Sequence, residues 1–198
     1  ERYIKVLQRE TERLQTLVDD LLHLSRLDLG AVSPQIRTLD LNRLVSSLVA
    51  DRRLYALSKG VSLEAKLADP APIAAADEDM IMQVLSNLTS NAIQYTPSGG
   101  KVTVYTGWET ANGRRWATLT VADTGVGIAK EEIPYIFDRF YRGKAALETG
   151  AAGTGLGLSI VKEIVDRHQG QISVASAPGQ GASFTVRLPA AKSASVPS

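Results

Sequence analysis

The chain has 198 residues, of which 44% are hydrophobic, and its 22 basic and 21 acidic side chains leave a net charge of +1. This length suggests one or two domains, and this composition supports an ordinary hydrophobic core. A nearly neutral chain gives no electrostatic reason to expect nucleic acid or an anionic membrane as a partner. The absence of cysteine excludes disulfides, thiolate metal ligands and cysteine nucleophiles. No apolar run approaches the roughly 20 residues that cross a bilayer, and no signal peptide is visible.

The first thirty residues carry a stripe of apolar and small side chains, from Ile4 to Ser25, at alternating spacings of three and four. This heptad-like pattern predicts a bundle or coiled-coil helix that ends at Gly30. The alternative is a helix that packs on its own domain. The chain starts at Glu1, without methionine and already inside this pattern. We therefore expect a soluble, cytoplasmic piece of a longer protein, whose parent can be anchored in a membrane.

A linker over residues 31–34 precedes a second domain, which we expect over residues 35–189. Its periodicities favour an α/β fold: a two-layer sandwich in which helices cover one face of a mixed sheet, preceded by the long bundle helix. Residues 190–198 form a polar tail that we expect to be disordered.

The predicted elements of the second domain follow in chain order. They are a strand at 35–39, a helix at 41–58 capped by Asp40, strands at 61–67 and 73–75, and a helix after Asp77 that stops before Pro97. Then come strands at 101–108 and 116–123 joined by Asn112-Gly113, a helix from Thr154 to His168, and strands at 171–175 and 183–188.

The central motif is the sequence DTGVGI at residues 123–128, which directly follows an apolar stretch that predicts a buried strand. A carboxylate at the end of that strand can accept hydrogen bonds from the amine of a base. The two glycines allow a planar ligand and the backbone to approach closely. By itself, this short motif is equally typical of a plain turn at the end of a strand.

Four further motifs accompany it in a fixed order. Asn87 and Asn91 lie upstream, four residues apart on one helix face. Downstream come FDRFYR at 137–142, GTGLGLS at 153–159 and GQG at 179–181. This ordered set resembles the N, G1, F, G2 and G3 boxes of the ATP-binding domain of sensor histidine kinases. The resemblance implies the α/β sandwich that this family shares with DNA gyrase, mismatch-repair ATPases and heat-shock ATPases.

The resemblance also implies roles for individual residues in binding ATP and Mg²⁺. Asp123 would accept a hydrogen bond from the exocyclic amine of adenine. Asn91 would bind Mg²⁺ through its amide oxygen, since magnesium prefers hard oxygen ligands and keeps waters and phosphates in its shell. Asn87 and Arg142 are the catalytic candidates. The candidates for binding the nucleotide are Asn87, Asn91, Tyr95, Asp123, Gly125, Gly127, Ile128, Arg142, Gly153, Thr154, Gly155, Leu156, Gly157 and Leu158.

The glycine-rich motif at 153–159 runs into a helix, whose N-terminal N–H groups and dipole attract phosphate. It is neither a Walker A loop nor a Rossmann turn, because no Gly-Lys-Ser/Thr follows and no first βαβ strand precedes it. The segment 129–152 would then be the ATP lid, which we expect to be disordered without nucleotide between Gly143 and Ala152. Phe137 and Phe140 would anchor the start of the lid on the core and on the N-terminal helix, which would be a dimerisation helix.

Arg142 resembles the lid arginine that approaches the terminal phosphate, a task suited to its permanent charge and donor fork. Arg139 and Lys144 are weaker candidates for this role. For each of the three cations the alternative is a solvated surface side chain. His168 resembles a common residue at the end of a helix, and we interpret it as a capping residue.

The N-terminal helix resembles the second helix of the histidine-kinase dimerisation domain, which implies a homodimer in the full-length protein. The family's phosphoacceptor motif of His, acidic residue, Leu, Arg, Ser/Thr and Pro is missing. His23 is followed by Leu24-Ser25-Arg26, so we interpret it as an ordinary helix residue. The acceptor histidine would lie on a first helix that this fragment lacks, and the phosphoryl group would pass on to an aspartate of a response regulator. We therefore expect ATP binding but no autophosphorylation on this fragment's own residues.

Two positions depart from the family's commonest pattern. Gln94 replaces a frequent lysine, which removes a positive charge from the phosphate site. Ala182 replaces a frequent serine or threonine, whose hydroxyl would help to hold water beside Asp123; Ser183 follows it.

Three alternative functions follow from the same fold. The first is a serine protein kinase of the anti-sigma type, which the heptad helix and the phenylalanine-rich lid disfavour. The second is a gyrase-like motor, which needs a transducer domain after the last strand. The third is a non-catalytic nucleotide-sensing or scaffold domain, which Gln94 keeps open.

Overall fold

The computed structural model describes residues 11, 14–15, 17–19, 21–22, 24–25, 33–111, 113–144, 146 and 153–191. The described residues between 11 and 25 are helical, as the heptad pattern predicts. Leu24 is buried in the domain core, and Leu17 packs partly against it. Leu17 and Leu24, which widen the predicted stripe, therefore pack on the domain, whereas Leu14 and Val18 of the stripe itself are exposed. His23 and the end of the helix at Gly30 lie outside the described residues.

The domain that follows is built from three helices, seven strands and a short 3₁₀ helix in its described part. The helices are α1 (Leu41–Ser58), α2 (Glu78–Tyr95) and α3 (Gly157–Arg167), and the 3₁₀ helix spans Ile133–Tyr135. The strands are β1 (Arg37–Asp40), β2 (Ser62–Lys66), β3 (Ile73–Ala76), β4 (Lys101–Ala111), β5 (Arg114–Asp123), β6 (Gln171–Ser176) and β7 (Ala182–Pro189).

Five strands form the main sheet in the order β2-β4-β5-β7-β6. β2 is parallel to β4, and the other neighbours are antiparallel, so the sheet is mixed as predicted. β1 and β3 differ from the expectation of one sheet, because they pair with each other in a separate two-stranded sheet. Both strands have only four residues, and β3 touches the end of the main sheet through a bridge between Ala74 and Ala190.

The core lies between one face of the main sheet and the three helices. Alternate residues of β4, β5 and β7, such as Val104, Leu119 and Val186, are fully buried on this face, in keeping with the period-2 alternation of strand side chains. Asp40 and Asp77 cap the starts of α1 and α2 as predicted, because the side chain of each accepts from at least one backbone N–H of the first turn. The capped helix α2 carries the two asparagines of the first motif.

Two element boundaries differ from the sequence prediction. The last helix begins at Gly157 and not at Thr154, because Gly155 has a left-handed φ of 76° that no helix residue adopts. Ala191, which the sequence placed in the polar tail, is bonded to the domain, since its N–H donates to the carbonyl of Ile73 at 2.9 Å. Residues 192–198 lie outside the described part of the chain, as does Asn112 of the predicted hairpin turn.

Candidate functional site

Asp123 is the last residue of β5, on the face of the sheet that the helices cover. Its Oδ1 accepts hydrogen bonds from the backbone N–H groups of Gly125 (2.8 Å) and Ala182 (3.2 Å). Burial raises the pKa of this carboxyl, and the two backbone N–H groups oppose that rise. No described residue donates to Oδ2, so one oxygen is fixed by the protein and the other can accept from a ligand.

The glycine loop after Asp123 packs directly on the end of α2. The N–H of Val126 donates to the carbonyl of Tyr95 at 3.2 Å, and a side chain at Gly125 would overlap that same carbonyl. Gly127 has a φ of 71°, and a side chain there would overlap the carbonyl of Ala177. Glycine is therefore required at both positions, and the loop joins the asparagine helix to the turn before β7.

Ser176 is a site residue that the sequence reasoning missed. Its hydroxyl donates to the carbonyl of Gly181 at 2.6 Å and accepts from the N–H of Ile128 at 2.9 Å. It therefore connects the glycine loop after Asp123 with the glycine turn at 179–181. Ser176 ends β6 directly opposite Ala182 in β7. A sequence-based search could have found it only after pairing these two strands, because strand alternation alone does not identify the partner strand.

The departure at Ala182 has a structural consequence. Its backbone N–H still binds Asp123, but its side chain carries no hydroxyl. Ser183 pairs with Ala122, so it lies on the opposite face of the sheet from Ala182 and Asp123. The hydroxyl of Ser183 therefore does not replace the one that the family frequently has at position 182.

Asn87 and Asn91 lie one turn apart on α2, and both are half-buried. The Nδ2 of Asn87 donates to the carbonyl of Gly157 at 3.3 Å, which connects α2 to the first residue of α3. The side chain of Asn91 has no hydrogen-bond partner among the described residues. The structure thus brings the first motif and the glycine-rich motif together. Neither asparagine's amide oxygen accepts a hydrogen bond from a described residue, so both are available to a ligand.

These amides fit a magnesium site of a particular kind. Within the described part of the chain, no cluster of three or more His, Cys, Asp or Glu side chains could hold a metal ion alone. One or two neutral amide oxygens would be a poor site for a free cation. They fit an ion that takes most of its ligands from water and from the phosphates of a nucleotide.

The glycine-rich motif combines core packing with an open helix end. Leu156 is fully buried and Leu158 packs partly against the core. Thr154 uses its hydroxyl to accept from the N–H of Leu156 at 3.3 Å. No side chain caps the N-terminus of α3, so its first N–H groups are available to an anion. Gly153 is the first described residue after the lid.

The start of the predicted lid is attached to this same motif. The N–H of Phe140 donates to the carbonyl of Gly155 at 2.9 Å, while the neighbouring Ile136 is buried and Phe137 packs on the core. The side chain of Phe140 is exposed, so its backbone and not its ring provides the attachment to this domain. Its predicted contact with the dimerisation helix stays a prediction, and the expected disorder over 143–152 falls mostly outside the described residues.

Arg142 is half-buried at the end of FDRFYR. Burial raises the pKa of Tyr95, and the positive charge of Arg142 opposes that rise. The Nη2 of Arg142 also donates to the carbonyl of Ala146 at 3.3 Å. Arg139, Lys144 and Gln94 are exposed. Of the three lid cations, Arg142 is the one whose charge acts on Tyr95.

His168 is buried and has a structural position away from the site. Its Nδ1 is paired with the carbonyl of Ile164 at 2.7 Å, and its Nε2 accepts from the N–H of Asp77 at 3.0 Å. Asp77 in turn accepts from the N–H of Gln35 at 2.7 Å. The capping interpretation holds, since His168 ends α3. The sequence did not predict the contact of His168 with Asp77 at the start of α2, nor the contact of Asp77 with Gln35 just before β1.

Comparison with known proteins agrees with this geometry. Residues 76–192 match the family described as "Histidine kinase-, DNA gyrase B-, and HSP90-like ATPase". The sensor histidine kinase RppB of Synechocystis sp. is 37% identical over 186 residues, which cover 94% of this chain and 40% of that protein. The sensor histidine kinase WalK of Bacillus subtilis is 38% identical over 188 residues, which cover 95% of this chain and 30% of that protein.

A solved structure of full-length ShkA in complex with AMPPNP is 30% identical, with a TM-score of 0.81, and covers 98% of this chain and 39% of that one. The fold, the motifs and these likenesses define an ATP-binding catalytic domain of the sensor histidine kinase type. The chain belongs to the histidine kinase-, DNA gyrase B- and HSP90-like ATPase family.

The chain spans less than half the length of these relatives. Among the residues that the structure describes, no helix combines the length and apolar character needed to cross a bilayer.

Proposed function

We propose that this chain binds Mg-ATP at the site around Asp123 and presents its γ-phosphate to a histidine of the parent sensor kinase. The observation that supports this proposal is that the two oxygens of the Asp123 carboxylate have different partners. Two backbone N–H groups hold Oδ1, and Oδ2 is left to accept from an exocyclic amine. Adenine has such an amine and guanine carries a carbonyl oxygen at that ring position, so this carboxylate favours adenine.

The phosphates would then lie toward the start of α3 and the asparagines of α2. The uncapped N–H groups of α3 and the helix dipole stabilise negative charge there. Asn91 and, in support, Asn87 would hold Mg²⁺, which neutralises phosphate charge when bound. Tyr95 and Ile128 would contact the nucleotide, and the glycines at 125, 127, 153, 155 and 157 would allow its close approach.

Arg142 would approach the terminal phosphate with its permanent charge. In the transfer, the bond between the γ-phosphorus and the bridging oxygen of ADP breaks as a bond to a histidine ring nitrogen forms. Such reactions need mainly positioning and charge neutralisation, which Arg142 and the start of α3 supply. Asn87 would help by holding α2 and α3 in a fixed relative position through its hydrogen bond to Gly157.

The acceptor histidine would lie on a first dimerisation helix, with residues 1–30 as the second helix and 31–34 as the linker. The catalytic domain would occupy 35–189 and a tail 190–198. Full-length protein would dimerise through these helices and pass the phosphoryl group to a response-regulator aspartate. This arrangement places the chain on the cytoplasmic side of a parent that can be membrane-anchored.

The test is a phosphorylation assay on the full-length protein with γ-labelled ATP. We expect an acid-labile, alkali-stable label, which is typical of a phosphorylated histidine. Asp123→Asn and Arg142→Ala should both reduce labelling strongly, whereas the matched control Arg139→Ala should keep most of it. Nucleotide binding without any label would instead favour the scaffold alternative, and an acid-stable label would indicate a serine kinase.

A further inference from the structure

Glu132 lies just before the 3₁₀ helix, at the base of the lid, and its carboxylate reaches forward to the end of FDRFYR and to the residues that follow it. Its Oε1 accepts from the backbone N–H of Lys144 at 2.8 Å and from the hydroxyl of Tyr141 at 3.3 Å. These two donors flank Arg142 in the sequence. One carboxylate oxygen therefore holds the chain on both sides of the lid arginine.

Gly143 completes this contact. A Cβ at Gly143 would lie 2.9 Å from Oε1 of Glu132, closer than real Cβ atoms approach an oxygen. The absence of a side chain at 143 thus lets the carboxylate lie against the backbone. Gly143 in turn accepts from the N–H of Ala146 at 3.0 Å, and the carbonyl of Ala146 receives the Nη2 of Arg142. The described residues 141–144 and 146 are called the lid turn here: Glu132 is bonded to Tyr141 and Lys144, and the guanidinium of Arg142 is bonded to Ala146.

Glu132 itself is well anchored. Its N–H donates to the carbonyl of Ala129, and its carbonyl accepts from Tyr135, both at 2.9 Å. The next residues of this segment include the buried Ile136. Burial raises the pKa of the Tyr141 phenol, and the carboxylate of Glu132, which accepts from its hydroxyl, raises that pKa further. The backbone of Glu132 is thus a fixed point, from which the carboxylate reaches the more distal part of the lid.

We propose that Glu132 is the positioning residue for Arg142: by accepting from Tyr141 and from the N–H of Lys144, it holds the chain on both sides of Arg142 and so fixes the direction in which the guanidinium extends. This inference rests on the proposed function of Arg142 at the terminal phosphate. Glu132 touches neither nucleotide nor metal in this account, and it acts only through the geometry of the turn. Its loss should therefore affect recognition of the γ-phosphate and spare recognition of adenine.

The test is a calorimetric titration of the chain with Mg-ATP and Mg-ADP, in which the ratio of the two affinities reports on contact with the γ-phosphate. Loss of one charge-assisted contact in Arg142→Ala should lower the preference for ATP over ADP by about tenfold. Glu132→Ala should lower the preference by most of that factor and leave ADP affinity within about twofold. The double variant should be no worse than Arg142→Ala, because both changes remove the same interaction.

Three further variants sharpen the test. Glu132→Gln keeps an acceptor oxygen of the same shape and should retain most of the ATP preference. Gly143→Ala, at an ordinary backbone conformation, should push the carboxylate away from the backbone and lower the ATP preference in the same direction as Glu132→Ala, but by less, because the carboxylate can shift. Glu131→Ala removes a neighbouring exposed carboxylate and should change nothing.

The results separate this inference from the proposed function. An unchanged ATP/ADP ratio in both Glu132→Ala and Gly143→Ala, beside a clear loss in Arg142→Ala, would overturn the role of Glu132 alone. An unchanged ratio in Arg142→Ala would overturn the role of the arginine and this inference with it. Failure of the unmodified chain to bind either nucleotide would overturn the proposed function as well.

Discussion

The backbone N–H of Phe140 donates to the carbonyl oxygen of Gly155 at 2.9 Å, and both residues have left-handed φ angles, 63° and 76°. A Cβ at Gly155 would lie 2.7 Å from the carbonyl carbon of Phe140. The start of the lid is therefore held against the glycine turn in front of α3 by main-chain contact. This contact couples the lid to the helix end that we assign to the phosphates.

Replacing Gly155 by alanine should break this contact. The added Cβ would collide with the Phe140 backbone, and the left-handed φ would add roughly 1–2 kcal/mol of strain. We expect the affinity for ATP to fall by at least about tenfold, measured by calorimetric titration. Gly113→Ala is the matched control, because Gly113 has a φ of 71° with nothing near its Cβ position. That variant should lose similar stability and keep its nucleotide affinity; equal affinity in the two variants would contradict the coupling.

Asp123→Asn should yield a folded chain that no longer binds adenine nucleotides. The N–H groups of Gly125 and Ala182 would select the amide oxygen, so the amide NH₂ would replace Oδ2 and face the donor of adenine. Two donors facing each other cannot form a hydrogen bond. The thermal midpoint of the variant at neutral pH should equal or exceed that of the unmodified chain, since an ionised, partly buried carboxylate is removed. A strongly unfolded variant would show that the carboxylate has a structural and not a ligand-binding role.

The same carboxylate predicts a pH dependence of defined sign. Burial raises the pKa of Asp123 in the folded chain, so the folded state holds this proton more tightly than the unfolded state does. The contribution of Asp123 to stability is thus full below the ordinary aspartate pKa of about 4 and is lost as the pH rises through the folded-state value. The stability of Asp123→Asn relative to the unmodified chain should increase over this window and then stay level. Thermal melts of both proteins across the acidic range would check it, and a difference that shrinks with rising pH would contradict it.

Thr89 in α2 offers a stabilising substitution. Its side chain is 0% exposed, and its hydroxyl has no hydrogen-bond partner among the described residues. Thr89→Val removes this unpaired group at nearly constant shape and should raise the free energy of unfolding by about 1 kcal/mol. Thr96→Val is the matched control, because the Thr96 hydroxyl donates to the carbonyl of Ala92 at 2.6 Å and its loss should destabilise. Urea unfolding of the two variants should show opposite signs; a destabilised Thr89→Val would mean that its hydroxyl has a partner after all.

Asp77 has a larger structural role than Asp40, the cap of α1. Both cap helices, but Asp77 also accepts from Gln35 and donates its N–H to the buried His168. Asp40→Ala should cost about 1 kcal/mol and Asp77→Ala about 2 kcal/mol. Urea unfolding measures both. Equal losses would contradict the larger role of Asp77.

The sequence predicted the elements well where periodicity or capping dominates. Asp40 and Asp77 predicted two helix starts, and the apolar stretch before Asp123 predicted the buried strand β5. The order of the motifs led to the correct family. The start of α3 was missed because Thr154 is a plausible cap, whereas the left-handed Gly155 delays the helix.

Contacts between residues that are distant in the chain account for the features that the sequence did not predict. Ser176 enters the site because β6 lies beside β7, and Glu132 holds the lid turn through contacts with residues nine and twelve positions later in the chain. The link from His168 to Asp77 spans 91 positions. None of these contacts follows a helical or strand period, so no local pattern predicts them.

Calorimetric titration of this chain with Mg-ATP, beside Asp123→Asn, tests the central claim most directly. The account predicts a single nucleotide site in the unmodified chain and loss of measurable binding in the variant, while circular dichroism shows that the variant stays folded. A variant that binds Mg-ATP as tightly as the unmodified chain would contradict the assignment of Asp123 as the residue that reads adenine.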